Sequence, residues 1–220
     1  MKKLALFISL VVFAAGCHHG RYAEISGSGK RELQKRTVAP FTSISTEGAF
    51  TIEVTCQKDV SLEVEGDDNV LPFVTTEVGS NILRIKNTKN YSTNEPVKFR
   101  ISVPNLEGLS VNGAGHIEIK NLNNDKFEID TNGAPTIVAS GNTKVIDVGA
   151  NGAGKIDAHN LHASRGVVDS KGVTTVDLDV SDQLDVTISG PAKVTYRGDP
   201  TVNKTIHGPG KVERRTNEGA

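Results

Sequence analysis

Tryptophan is missing from the 220 residues, methionine occurs once, and aromatic side chains make up only 5% of the chain. Stacking platforms for sugar rings or bases are therefore scarce: only Tyr22, Tyr91 and Tyr196 offer a ring with a polar tip. The formal net charge of −1 gives no basic excess, so nothing points to nucleic acid as a partner. No sustained i, i+3, i+4, i+7 apolar stripe follows residue 20, which argues against a helical bundle. No apolar run reaches the ~20 residues that a membrane-spanning helix needs. The chain is rich instead in Gly, at 22 residues, and in short alternating runs of Val, Ile and Thr. These features predict an all-β protein.

The first residues form a separate unit. Lys2-Lys3 is a basic start, Leu4 to Phe13 is an apolar run of secretory length, and Ala14-Ala15-Gly16 leads into Cys17. This resembles a bacterial lipoprotein signal, with Ala14 where such signals most often carry Leu. The resemblance implies cleavage before Cys17, a diacylglycerol on its sulfur and a third acyl chain on its amine. Each buried methylene of such chains contributes about 0.8 kcal/mol, so several chains anchor firmly where one is marginal. Residues 1–16 are read as signal peptide and 17–36 as the lipidated Cys and a flexible tether. His18 follows the Cys in place of Asp, which under the sorting rule of enteric Gram-negative bacteria implies the outer membrane. His18 and His19 are given no role of their own. Cys56 is then the single free thiol; it falls in the apolar phase of "TIEVTC" and is expected to be buried and inert.

From residue 109 the chain repeats itself. Gly113, Gly133, Gly152, Gly172, Gly190 and Gly208 follow one another at spacings of 20, 19, 20, 18 and 18. Four residues past each glycine stand Ile117, Ile137, Ile156, Val176, Val194 and Val212, all β-branched. Four before stand Leu109, Ile129, Val148, Val168, Val186 and Lys204, with Lys204 the exception. A repeat of this size cannot bury its inner face alone, but stacked repeats can, with identical positions ~4.8 Å apart. The pattern predicts a β-solenoid, of the right-handed parallel β-helix type, with about 18–20 residues per coil. The glycines mark its corners, where φ > 0 is tolerated, and Asn112, Asn132 and Asn151 beside them are expected to stack as an amide ladder. A single domain is expected over 37–215, with a less regular opening portion at 37–104, regular coils at 105–215 and a tail at 216–220.

The opening portion carries a more specific resemblance. Phe41 to Ile44, Glu65-Gly66-Asp67-Asp68-Asn69, and the passage from Val103-Pro104 to Gly115 are similar to the family called putative auto-transporter adhesin, head GIN domain. The likeness runs from about 37 to 212. It implies an exported protein with a solenoidal β fold and a role in adhesion, and it brings no catalytic residues.

Three chemistries remain to be weighed. Gly149-x-x-x-x-Gly154-Lys155 matches the start of a phosphate loop, but Ile156 stands where Ser or Thr must hold Mg²⁺, and no helix follows. Outward columns gather carboxylates: Glu128, Asp147 and Asp185 in one, Asp130 and Asp169 in a second, Asp157 and Asp177 in a third beside Lys155. Acid/base or divalent-ion chemistry needs such clusters, whereas solvated strands also carry them. His159 and His162 can share a metal if their segment folds suitably; with Asp157 and Asp177 they are the weak metal candidates, and no metal or cofactor is assigned.

The function these readings favour is a non-enzymatic, lipid-anchored envelope protein with a rigid surface for adhesion to a glycan or a cell-surface protein, the ligand unidentified. An envelope scaffold, self-associating through a face or end of the stack, and a polysaccharide-active enzyme on the same fold are the alternatives.

Overall fold

The computed structural model describes residues 25–215. Cys17 and the signal segment lie outside the described residues, as does the tail at 216–220. Among the described residues there is no α-helix; a 3-10 turn at Leu71–Phe73 is the exception to strand and loop. The strands are β1 (Ile25–Ser26), β2 (Arg31–Lys35), β3 (Ser43–Cys56), β4 (Ser61–Asp67), β5 (Val74–Gly79), β6 (Ile82–Asn87), β7 (Tyr91–Ser92), β8 (Lys98–Val103), β9 (Gly108–Gly152), β10 (Lys155–Ser170), β11 (Thr175–Ser189), β12 (Lys193–Arg197), β13 (Thr201–His207) and β14 (Lys211–Arg214).

β9 shows how the repeat folds. Its 45 residues would reach ~150 Å if straight. Instead the chain bends at its glycines and lies on itself: Glu128 N–H donates to the Glu107 carbonyl, and Gly133 sits directly over Gly113. β9, β10, β11 and then β12 and β13 continue the pattern in parallel register. Ile137 faces Ile156, Ile156 faces Val176, Val176 faces Val194 and Val194 faces Val212. All but Val212 are buried, and with Ile52 and Ile117 they form one continuous inner column. Each contributes about 1.5–3 kcal/mol on burial, so the column is a main source of cohesion.

The opening portion joins this stack directly. β3 pairs residue for residue with the start of β9, from Ser43 opposite Gly108 to Thr55 opposite Lys120. Phe50 and Phe99 meet edge to face at 5.4 Å in its core. Antiparallel pairs then make the sheet mixed: β8 with β4, β4 with β2, and β6 with β5. The β5–β6 hairpin turns at Ser80 and Asn81, both at positive φ, as a two-residue loop of this kind requires.

Residues 25–36 are not tether. β2 pairs with β4, and the segment before it is held by the side chains of Asp67, Asp68 and Asn69. Ser28 N–H donates to Asn69 Oδ1 at 2.9 Å, Gly29 N–H to Asp67 Oδ2 at 3.1 Å, and Asn69 Nδ2 to the Ser26 carbonyl at 2.8 Å. The segment is polar because its partners are polar, so it carries no apolar rhythm that would have marked it as folded.

Five of the six corner glycines in the repeat have φ between +118° and +151°, as does Gly48 before them. Gly172 is the exception. What it shares with Gly133 and Gly152 is close approach: a Cβ on any of the three would lie 2.0–2.1 Å from the carbonyl oxygen of the glycine beneath. Asn112, Asn132 and Asn151 point into solvent, and the backbone glycines hold the corner.

Candidate functional site

The outward residues of β6, β3 and β9 stand in two neighbouring columns. One runs Ile82, Ser43, Gly108, and the other Arg84, Ser45, Ser110. The next repeat continues them with Glu128 and Asp130. Small residues therefore occupy two successive rungs between two rungs of long ones. The result is a groove of about 660 Å³ whose floor is Ser43, Ser45, Gly108 and Ser110. Three strand spacings separate its walls, about 14 Å between backbones. Ile82 and Arg84 form one wall; Lys126, Glu128 and Asp130 form the other, with Glu107, Asn124 and Asp125 at the end.

The charges of this groove are unevenly partnered. Lys126 lies 3.2 Å from both Glu128 and Asp147, and Lys144 lies 2.7 Å from Asp125. Arg84 donates to the Gly79 carbonyl at 3.0 Å. Asp130 has no ion pair among the described residues. Burial raises its pKa above the usual carboxylate range, and the charges of Glu128 and Asp147 add to that. Its carboxylate lies across Gly149: a Cβ there would come within 2.5 Å of Oδ1. Gly149, the first residue of the phosphate-loop pattern, thus makes room for an acid.

The other sequence candidates fall elsewhere. Asp147, Val167, Asp185 and Asn203 continue the Glu128 column, while Gly149, Asp169 and Thr187 continue the Asp130 column. Asp185 accepts from Asn203, Gln183 and Arg165, which together hold its pKa down to about 2. Asp157 and Asp177 do face each other in register, and His159 joins them with ligand atoms within 4.8 Å. His162 does not; its Nδ1 lies 2.8 Å from Asp179.

The Asp157–Asp177 cluster is a closed charge network. Asp177 is 4% exposed, accepts from Thr195 at 3.0 Å and pairs with Arg215 at 2.6 Å. Asp157 pairs with His159 and, at 3.7 Å, with Lys155. Burial raises the Asp157 pKa, but the hydrogen bond and charge of His159, with the charge of Lys155, outweigh it and leave the carboxyl below its ordinary value. Two Asp and one His are a chemically suitable donor set for a divalent cation, yet their oxygens already hold protein partners. Cys56 is buried, which pushes its thiol up to about 11 and keeps it unreactive.

Sequence reasoning missed the groove. Its signal was present as small residues at 43, 45, 108 and 110, and Gly48, with Ile44 four before it and Ile52 four after, fits the template of Gly113; but the pattern does not say that β3 lies beside β9, 65 residues further on.

Comparison with known proteins follows the same architecture. A solved structure of a putative adhesin from Bacteroides fragilis is 22% identical, covers 87% of this chain and 100% of its own, and superposes with a TM-score of 0.73. A putative lipid binding protein from Parabacteroides distasonis is 20% identical over 88% of this chain and 100% of its own, with a TM-score of 0.53. A putative adhesin from Parabacteroides merdae is 16% identical over 88% and 99%, with a TM-score of 0.56. At these identities the likeness speaks for a shared fold. No curated protein matches the sequence. The family model described as putative auto-transporter adhesin, head GIN domain, matches residues 40–200, which include every residue lining the groove. With most of its length matched, the chain belongs to the putative auto-transporter adhesin, head GIN domain family.

Proposed function

We propose that this chain is a non-enzymatic protein of the bacterial cell envelope, held at the outer membrane through Cys17 lipid, whose groove over Ser43, Ser45, Gly108 and Ser110 binds a surface ligand. The repeats are read as coils of a right-handed parallel β-helix. Parallel strands joined by crossovers are right-handed in nearly all proteins, which supports that hand. Such a stack is a rigid mount, because each repeat is fixed by two neighbours. The membership in an adhesin family supports a binding role at a surface. Among the described residues no helix is long and apolar enough to cross a membrane.

The groove is the observation that carries the reading. Its acids stand on one wall and at one end, facing Ile82 and Arg84. Glycoside hydrolysis needs two carboxylates flanking the scissile bond, and this placement offers none on the far side. The Asp157–Asp177 pair is tied up in its own network. Binding without turnover is the chemistry that fits.

The test uses the full mature chain on a panel of envelope polysaccharides and surface proteins, beside a Ser110→Leu variant that fills the groove floor. Circular dichroism verifies that the variant is folded. Binding that Ser110→Leu removes supports the reading; a blank panel, or binding that ignores the filled groove, overturns it. Acyl labelling in cells, present in the native chain and lost in Cys17→Ser, tests the anchor.

A further inference from the structure

The groove's chemistry points to a class of ligand, an inference that rests on the reading of the groove as a binding surface. Four carboxylates line it, Glu107, Asp125, Glu128 and Asp130, against two basic groups, Lys126 and Arg84. Both basic groups are already engaged within the protein, Lys126 by Glu128 and Asp147, Arg84 by the Gly79 carbonyl. The excess of acceptors is concentrated at Asp130. An anionic ligand would meet these acids at a cost, and a flat apolar one would find no aromatic platform.

We propose that the groove receives an extended peptide segment of a partner protein and takes an arginine side chain against Asp130. Guanidinium presents five N–H donors in a fixed plane and pairs with carboxylates in a bidentate fork. Its positive charge relieves the repulsion that Asp130 feels from Glu128 and Asp147. The hydroxyls of Ser43, Ser45 and Ser110 can donate to the carbonyls of a peptide lying on the floor, and walls about 14 Å apart leave room for one extended strand with its side chains. The floor lies within the sheet, where backbone groups are already paired, so recognition passes through side chains.

The experiment measures fluorescence anisotropy of a labelled hexa-arginine peptide, a hexa-glutamate peptide and a neutral Gly-Ser peptide with the full mature chain. Variants are Asp130→Asn, the groove-filling Ser110→Leu, and Asp182→Asn as a carboxylate removed outside the groove. Expected is binding of the arginine peptide alone, weakened about tenfold by Asp130→Asn and by Ser110→Leu and less than twofold by Asp182→Asn. Equal weakening by Asp130→Asn and Asp182→Asn would mean diffuse charge attraction and overturn the proposal. No binding of the arginine peptide overturns it too. Binding of the neutral or acidic peptide that Ser110→Leu abolishes would leave the groove reading standing and sink only the ligand class. Arginine-peptide binding that ignores Ser110→Leu would sink both.

Discussion

Gly152 lies so close over Gly133 that a Cβ on it would stand 2.1 Å from the Gly133 carbonyl oxygen. Its own φ is +124°. Two demands therefore meet at one residue: a backbone conformation that side chains resist, and a neighbour that leaves no space for one. The same glycine stack runs from Gly48 to Gly208, but the two demands separate along it. Gly172 has the close approach without the positive φ, and Gly208 has φ +118° with nothing nearer than 3.6 Å.

Alanine substitutions along this stack are predicted to rank by which demands they break, a backbone clash costing more than a strained φ and the two together costing most. Gly208→Ala should cost about 1–2 kcal/mol, the usual cost of a strained φ. Gly152→Ala should cost more than about 3 kcal/mol, because backbone must move as well. Gly172→Ala isolates the clash and should fall between them. Urea denaturation followed by circular dichroism gives the order, and equal costs at Gly152 and Gly208 would contradict it.

Asp67 is the second position where a small side chain controls a long segment. It is 3% exposed, accepts from Gly29 N–H and lies 3.6 Å from Arg31. Asp67→Ala should undock residues 26–30 from the β4 end at a cost of about 1–3 kcal/mol, with the main stack intact. Hydrogen exchange reads this directly: the Gly29 amide should lose protection while Ile156 and Val176 keep theirs. Unchanged exchange at Gly29 would show that Asn69 and β2 pairing suffice alone.

These two sites also show what the sequence made legible. The glycine spacing and the β-branched residues four positions beyond each glycine exposed the stacked columns, because a motif that recurs at six glycines is a strong local signal. The docking of Ser28 and Gly29 onto Asp67 and Asn69 was hidden, since polar side chains capturing backbone leave no hydrophobic rhythm. The groove was hidden for a different reason: it depends on which distant strands are neighbours. The partnership of Asp157 with Asp177 could be read from the repeat, but Arg215, which neutralises Asp177, lies beyond the last repeat glycine and could not.

Asp185 sets a predicted acid sensitivity. Its folded pKa, about 2, lies below the ordinary 3.8 because Asn203, Gln183 and Arg165 donate to the charged form. A depressed carboxylate stabilises the fold fully above the unfolded value and loses that contribution as pH falls through the folded one. The window is therefore from about pH 4 down to about pH 2. Asp185→Asn should flatten the fall in thermal midpoint across that window relative to the native chain. An NMR titration placing the Asp185 carboxyl at its ordinary value would remove the basis for the prediction.

Lys204 occupies the inward column that Val148, Val168 and Val186 fill in the preceding repeats. Among the described residues β13 pairs only with β11, so its other edge is free to template a further strand. Two copies joined antiparallel about Lys204 would set Val202 against Ile206, a favourable apolar pair, but would also oppose two ammonium groups. Like charges directly across a ladder destabilise it, and an inward-pointing lysine is a recognised guard on an edge strand. Lys204→Val is predicted to remove the guard. The variant should be at least as stable as the native chain, because it extends the apolar column onto Val186, yet it should self-associate with rising concentration. Sedimentation velocity decides between the outcomes: a shift to dimers or larger species in Lys204→Val alone supports the guard, and a variant as monodisperse as the native chain refutes it. Lys204→Glu separates charge from apolarity, since it keeps a like-charge clash at the same position and should leave the sedimentation profile of the native chain unchanged.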